Sequence, residues 1–250
     1  MPVSVCTTNS IATVTFGHPK GNSLPGPLLS QLALELTSLG ANPDVRVIVL
    51  RSEGAGPFCG GASFEELTAI TTPEGGREFF SGFSRVILAM IRAPQFVLVR
   101  VQGKAAGGAV GLIAASDFSV AVRTAPARLS ELALGIGPFV VGPCIERKIG
   151  LAAYSTMTVG ADWHDAEWCE RHGLYSQLFD SAAEMDTALD ARAATLAGSN
   201  PEAMAKLKRI FWAGTEHFDQ LLDERAAMSG ALVLSDFTRA AIARFRDRQK

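Results

Sequence analysis

Two near-continuous apolar segments, each emptying into a glycine-rich turn, restrict the fold most: "VRVIVLRS" runs into "EGAGPFCGGAS", and "QFVLVRVQG" runs into "KAAGG". A short apolar run bounded by turn residues reads as a buried strand. Between them, the spacing in "PEGGREFFSGFSRVILAMIRAP" predicts a helix that stops before Pro94. Ahead of them, "VSVCTTNSIATVTFGHP" reads as a hairpin and "LLSQLALELTSLG" as a helix with Gly40 at its C′ position. After them come a short helix of small residues, "AVGLIAAS", and a third strand, "DFSVAVR". Strands alternating with helices specify an α/β layered core. From Ala152 onward strand signals nearly vanish. There "DAEWCERHG", "AAEMDTALDARAATLAG", "PEAMAKLKRIFWAG" and "SDFTRAAIARFRDRQ" read as helices with Asp, Ser or Pro starts and Gly stops. The pattern predicts an α/β core over residues 1–195 and a C-terminal helical region over residues 196–250.

Charge narrows the partners. With 23 Lys and Arg against 25 Asp and Glu, the net charge is −2, so nothing draws the chain to nucleic acid or an acidic membrane. The mildly basic end, "RAAIARFRDRQK", reads as a solvated amphipathic helix. "MPVSVCTTNSIATVTF" lacks the basic head and apolar core of a signal peptide, and no apolar stretch reaches membrane-spanning length. Cys6, Cys59, Cys144 and Cys169 are far apart, with no CxxC pair. That argues against a zinc site or a disulfide framework and fits a reducing cytoplasm, each thiol serving as a small buried hydrophobe.

The chemistry gathers at the two glycine turns, residues 58–63 and 103–109. Ligands of α/β sheets bind outside the carboxyl ends of the strands, where these turns lie. Gly107 and Gly108 also open a helix, whose first N–H groups are unpaired and carry partial positive charge. Without a side chain in the way, a ligand carbonyl can approach such an N–H closely. Spacing alone leaves two readings. Either the glycines only make tight turns, or one N–H from each turn holds a thioester oxygen as it becomes an enolate. No GxGxxG or GxxxxGK[ST] occurs, and no GxSxG elbow marks a serine hydrolase. Asp162, His164 and Asp165 are the most metal-like cluster, but Asp165 is placed to cap a helix, and no metal site is expected.

"HPKGNSL", "VRVIVLRSEGAGPFCGGASFEEL", "VQGKAAGGAVGLIAASDFSVA", "LSELALGIGP" and "GADWHDAEWCERHGLYSQLF", in this order and spacing, resemble the crotonase family, the enoyl-CoA hydratase/isomerase superfamily, over almost the whole chain. The resemblance implies a spiral of ββα units, a C-terminal helical trimerisation region, and a homotrimer or dimer of trimers. It also implies an acyl-CoA thioester substrate, with coenzyme A present only as part of that substrate and no separate cofactor. Matched residue by residue, the two oxyanion-hole N–H groups are those of Ala62, in "GGAS", and Gly108, in "AAGGAV". Lys20, in "GHPKGN", and the backbone around Phe58, Gly60, Gly61 and Gly107 are then expected to hold the CoA part. Phe79, Phe80 and Phe83 fall beside the acyl tunnel and read as core more than as substrate wall.

Family hydratases carry two glutamates, the first three residues after the oxyanion glycine. Here that position is Gly111, which cannot move a proton; the second position is Glu131, in "LSELALG". Water addition is served by paired carboxylates, whereas shifting a double bond from the 3- to the 2-position needs one base and an enolate holder. The 3,2-enoyl-CoA isomerases resemble this chain in having a single glutamate and bulky residues after the "LG" turn, here "GIGPFVVGPCIERKIG". Isomerase is the expected activity. Glu131 on its own also fits a helix-start surface residue; as the base, its neighbours Leu129, Leu132 and Leu134 should raise its pKa. The alternatives are a hydratase whose second acid is Glu65 or Glu66, and a non-catalytic protein that binds acyl-CoA or a partner.

Overall fold

The computed structural model describes residues 3–247. Its strands are β1 (Val3–Thr8), β2 (Ile11–Phe16), β3 (Val47–Ser52), β4 (Phe96–Val101), β5 (Ala105–Ala106), β6 (Phe118–Val122), β7 (Ala127–Arg128) and β8 (Gln177–Phe179). The nearly unbroken apolar segments become the buried central strands β3, β4 and β6, which pair in parallel. A parallel sheet must be covered on both faces, so its strands lack polar alternation. They lie within a six-stranded sheet ordered β1-β2-β3-β4-β6-β8, in which only β1 against β2 is antiparallel.

Strands β2, β3, β4 and β6 are each followed by a short extended piece that pairs away from this sheet. Leu24 pairs with Ala62, Cys59 with Ala105, β5 with β7, and Ala127 with His164. Long strand, short strand, helix is the repeating unit of the expected spiral. The short pieces stack into a second layer, which brings the two glycine turns side by side.

The helices are α1 (Gly26–Ala41), α2 (Phe64–Ala69), α3 (Pro73–Arg92), α4 (Gly108–Ala114), α5 (Gly142–Gly160), α6 (Ala166–Arg171), α7 (Ala182–Ala197), α8 (Pro201–Phe211), α9 (Phe218–Leu232) and α10 (Asp236–Asp247). Helix α1 buries Leu28, Leu29, Leu32 and Leu36 and packs against α3 and β2. Each such side chain contributes roughly 1.5–3 kcal/mol relative to leaving it in water. Helix α3 packs in turn against α9 at backbone contact: a Cβ on Gly76 would lie 2.6 Å from the Gly230 Cα. The C-terminal region is tied down a second time through α8. There the fully buried Lys208 Nζ donates to the carbonyls of Met90 (2.9 Å) and Gln95 (3.1 Å) and to Asp117 Oδ2 (2.5 Å). Asp117 also accepts from the Val97 N–H (2.7 Å) and Trp212 Nε1 (3.2 Å), so this carboxylate is occupied structurally.

Several expectations need correction. Helix α5 carries Gly150 at φ 78°, a kink that interrupts its apolar spacing. Helix α9 has no side-chain N-cap hydrogen bond and carries Gly230 at its crossing with α3, so neither helix announces itself in sequence. Strand β8 is three residues long at the sheet's end. Gly40 is not a C′ residue: α1 runs on to Ala41 and ends at Asn42, whose N–H donates to the Leu39 carbonyl. Cys59, Cys144 and Cys169 are buried, but Cys6 is exposed, because β1 is an edge strand with only Val3 turned inward. Helix α10 covers most of the basic end; residues 248–250 and residues 1–2 lie outside the described residues. No helix among the described residues is long and apolar enough to cross a membrane.

Candidate active site

The two glycine turns interlock through the second layer. The Cys59 N–H donates to the Lys104 carbonyl (3.2 Å), the Ala106 N–H to the Cys59 carbonyl (3.0 Å) and the Gly107 N–H to the Arg128 carbonyl (2.9 Å). Gly61 (φ 88°) and Gly107 (φ 56°) both take left-handed conformations that a side chain would strain. A Cβ on Gly61 would also lie 2.7 Å from the Ala106 carbonyl oxygen, so the turns meet as bare backbone. Beyond them, the N–H groups of Ala62 and Gly108 have no acceptor among the described residues. Gly108 lies beneath the Phe83 ring, whose Cδ1 would be 2.8 Å from a Cβ there. Both residues line a cleft of about 940 Å³.

Glu131 faces them. It precedes a 3-10 turn, Leu132–Leu134, which Gly135 closes at φ 85°. Helix α10 holds this loop down: Thr238 Oγ1 donates to the Gly135 carbonyl (3.1 Å), and a Cβ on Gly135 would lie 2.5 Å from Phe237 Cδ1. The Glu131 carboxyl points toward the second turn, its Oε1 3.1 Å from where a Cβ on Gly107 would be. Part of the residue's surface is accessible, but Oε2 is closed off from water and has no hydrogen-bond partner among the described residues. Loss of hydration pushes its pKa up to about 7; nearby backbone N–H groups and the Arg128 charge act more weakly the other way.

The cleft gathers most of the residues picked out in sequence: Lys20, Gly60, Gly61, Ala62, Gly107, Gly108 and Glu131 all line it. Phe58 does not. Its side chain is fully buried and packs edge-on against Phe16, leaving only its backbone near the turn. Phe80 and Phe83 are cleft wall, while Phe79 stays in the core beside them.

The position of the missing acid is physically filled. A Cβ on Gly111 would lie 2.5 Å from the Val141 Cβ, and Val141 lines the cleft. Ile136, Phe139 and Val140, from the same bulky segment, extend that apolar wall. Neither substitute acid is free. Glu66 Oε2 accepts the Gly26 N–H (2.6 Å), capping α1 where Pro25 offers no side-chain cap. Glu65 is exposed at the rim, where its ion pair with Lys20 holds its carboxyl below the usual range. Ser63 caps α2, accepting the Glu66 N–H, and Asp165 caps α6, accepting the Trp168 N–H (2.7 Å).

Sequence reasoning passed over Lys104, Arg128 and Trp163, and the α9 and α10 residues Ser229, Ala241 and Arg244, all of which line the cleft. Arg128 had a signal, a lone cation among Ala127, Leu129 and the acid at 131. The others come together only through the fold.

Comparison with known proteins gives the family and the fold. The family model described as enoyl-CoA hydratase/isomerase matches residues 6–250. The mitochondrial methylglutaconyl-CoA hydratase of Rattus norvegicus is 32% identical over 168 residues, which cover 67% of this chain and 53%, about half, of that protein. The peroxisomal Delta(3,5)-Delta(2,4)-dienoyl-CoA isomerase of Arabidopsis thaliana is 26% identical over 254 residues, covering 94% and 90% of the two chains. A crystal structure of an enoyl-CoA hydratase from Bacillus halodurans superposes with a TM-score of 0.91 at 19% identity, over 98% of this chain and 100% of that one, which establishes the fold. The chain therefore belongs to the enoyl-CoA hydratase/isomerase family.

Proposed function

We propose that the protein is an enoyl-CoA isomerase that moves a 3-enoyl double bond into conjugation with its thioester. The observation that carries this reading is one cleft carboxyl, Glu131, whose buried Oε2 has no hydrogen-bond partner among the described residues, set beside a Gly111 whose side-chain space Val141 occupies. Glu131 takes a proton from C2. The electrons pass to the thioester oxygen, which accepts hydrogen bonds from the free N–H groups of Ala62 and Gly108. The dienolate is reprotonated at C4 by the acid just formed, so the product has the mass of the substrate. A base with a pKa near 7 is suited to both transfers at neutral pH, since it neither holds nor refuses the proton strongly. Water addition lacks its second acid, because Glu66 caps a helix and Glu65 is paired with Lys20 at the rim. The family's trimer belongs to the same reading, and the exposed Leu207, Ile210 and Phe211 of α8 are apolar surface that an assembly would cover.

The test is to offer 3-hexenoyl-CoA and 2-hexenoyl-CoA separately, with Glu131→Gln alongside, following mass and the ultraviolet absorbance of the conjugated thioester. Conjugation of the 3-enoyl compound without mass change, lost by about 10²–10⁴-fold in the variant, supports the isomerase. Gain of one water on the 2-enoyl compound makes it a hydratase. Silence on both with binding intact favours the protein as an acyl-CoA binder.

A further inference from the structure

Arg128 is left over from the chemistry above. It lines the cleft three residues before Glu131, yet its Nε is buried without a partner, and its guanidinium makes no ion pair among the described residues. Its backbone is fixed: it is in register with Ala106 and gives its carbonyl to the Gly107 N–H, so it is mounted beside the second glycine turn. Its side chain is also fixed. The guanidinium lies over the Trp163 ring at 5.0 Å from the centroid, and Lys104 Nζ lies over the same ring at 5.5 Å. Trp163 is 42% exposed and carries both cations on its ring. Of the other cations lining the cleft, Lys20 is already neutralised by Glu65, and Arg244 is exposed on α10.

We infer that Arg128, propped by Trp163 and seconded by Lys104, is a specificity residue that receives a carboxylate carried on the acyl part of the substrate. A planar guanidinium with free N–H donors, half withdrawn from water and held in one orientation, matches a carboxylate by two parallel hydrogen bonds. Its position selects the acyl part over the phosphates. Arg128 and Glu131 bracket Gly107, one through a backbone hydrogen bond and the other through its carboxyl, and the reacting carbons must lie near that glycine if Glu131 is the base. A second anion there would offset the positive charge that Arg128 turns toward Glu131. The inference rests on the proposed acyl-CoA reading, and the experiment is one of binding, so it does not depend on which reaction the site performs.

Saturated thioesters are used: succinyl-, glutaryl- and adipyl-CoA against butyryl-, pentanoyl- and hexanoyl-CoA, with free CoA as reference. They are titrated by calorimetry into the wild type, Arg128→Gln and Arg128→Lys, whose folding is checked by circular dichroism. The best diacid should bind about tenfold or more tighter than its neutral counterpart, the scale of one charge-assisted pair. That ratio should collapse toward one in Arg128→Gln and be partly kept in Arg128→Lys. A wild-type ratio at or below one overturns the proposal. So does an Arg128→Gln variant that weakens diacid, neutral thioester and free CoA alike, which would assign the guanidinium to the CoA phosphates. No binding of any thioester would instead overturn the acyl-CoA reading itself.

Discussion

Replacing Glu131 with Gln should abolish turnover and, at the same time, make the protein more stable above neutral pH. The carboxyl is held where its charge is poorly hydrated, and its pKa is raised from 4.5 to about 7. A rise of that size corresponds to roughly 3 kcal/mol against the charged form, and relaxation of the loop and entry of water reduce it to about 1–3 kcal/mol. The sign follows from the direction. A carboxyl with a higher pKa folded than unfolded contributes fully below about pH 4.5, where both states are protonated, and its contribution is lost as pH rises through about 7. Gln imitates the protonated form at every pH. Urea unfolding of both proteins from pH 5 to pH 8 should therefore give curves that lie close at pH 5. They should separate by about 1–3 kcal/mol at pH 8, with the variant ahead. Other titrating groups cancel in the difference. In the wild type, kcat/KM for a 3-enoyl thioester should fall with acidification below about pH 7 as the base takes up its proton. A difference in stability that does not change with pH, or a variant less stable at pH 8, would mean that the carboxylate is solvated or paired, and the assignment of Glu131 as a desolvated base would fail.

Two further substitutions probe the walls around that base. Gly111→Glu alone should unfold or cripple the protein, because its Cβ already meets Val141, whereas Gly111→Glu with Val141→Gly should fold within about 1–2 kcal/mol of wild type and gain measurable hydration of 2-enoyl-CoA. Thermal melts and a mass assay decide this, and a well-folded single variant would show that Val141 is not what fills the space. Asp117→Asn should cost about 3–5 kcal/mol in urea unfolding, since it leaves the Lys208 ammonium buried without its carboxylate; a loss under 1 kcal/mol would show that the backbone carbonyls suffice.

How legible the molecule was in sequence depended on whether a residue's partner lay close along the chain. The strands β3 and β4 were plain because burial on both faces leaves an unbroken apolar run, and the turns after them because left-handed backbone selects glycine. The cap at Asp165 was readable because donor and acceptor lie three residues apart. Helix α9 was not. Its defining contact is Gly230 against Gly76, far away in the chain, and in its own sequence that glycine looks like a break. The same distinction divides the site. Glu131, Ala62 and Gly108 could be matched by motif, but what makes Glu131 an unusual acid is the covering by α10, the bare glycines opposite and the absence of a partner for Oε2.

Gly111 shows why the two kinds of information differ in force. In sequence it is an absence, and an absence can be compensated by an acid from anywhere else in the chain. In the structure it is an occupied position: Val141 fills the volume that a second carboxylate would need, and Val140, Phe139 and Ile136 continue the same apolar wall. Filling that space with hydrocarbon also disfavours a water molecule held against the proposed thioester substrate. A water needs two to four polar partners, and on this side of the cleft the wall offers hydrocarbon. On the proposed reading, the lone base and the apolar wall favour proton transfer over water addition. The dienolate formed when Glu131 takes the proton from C2 would, on that reading, take it back at C4.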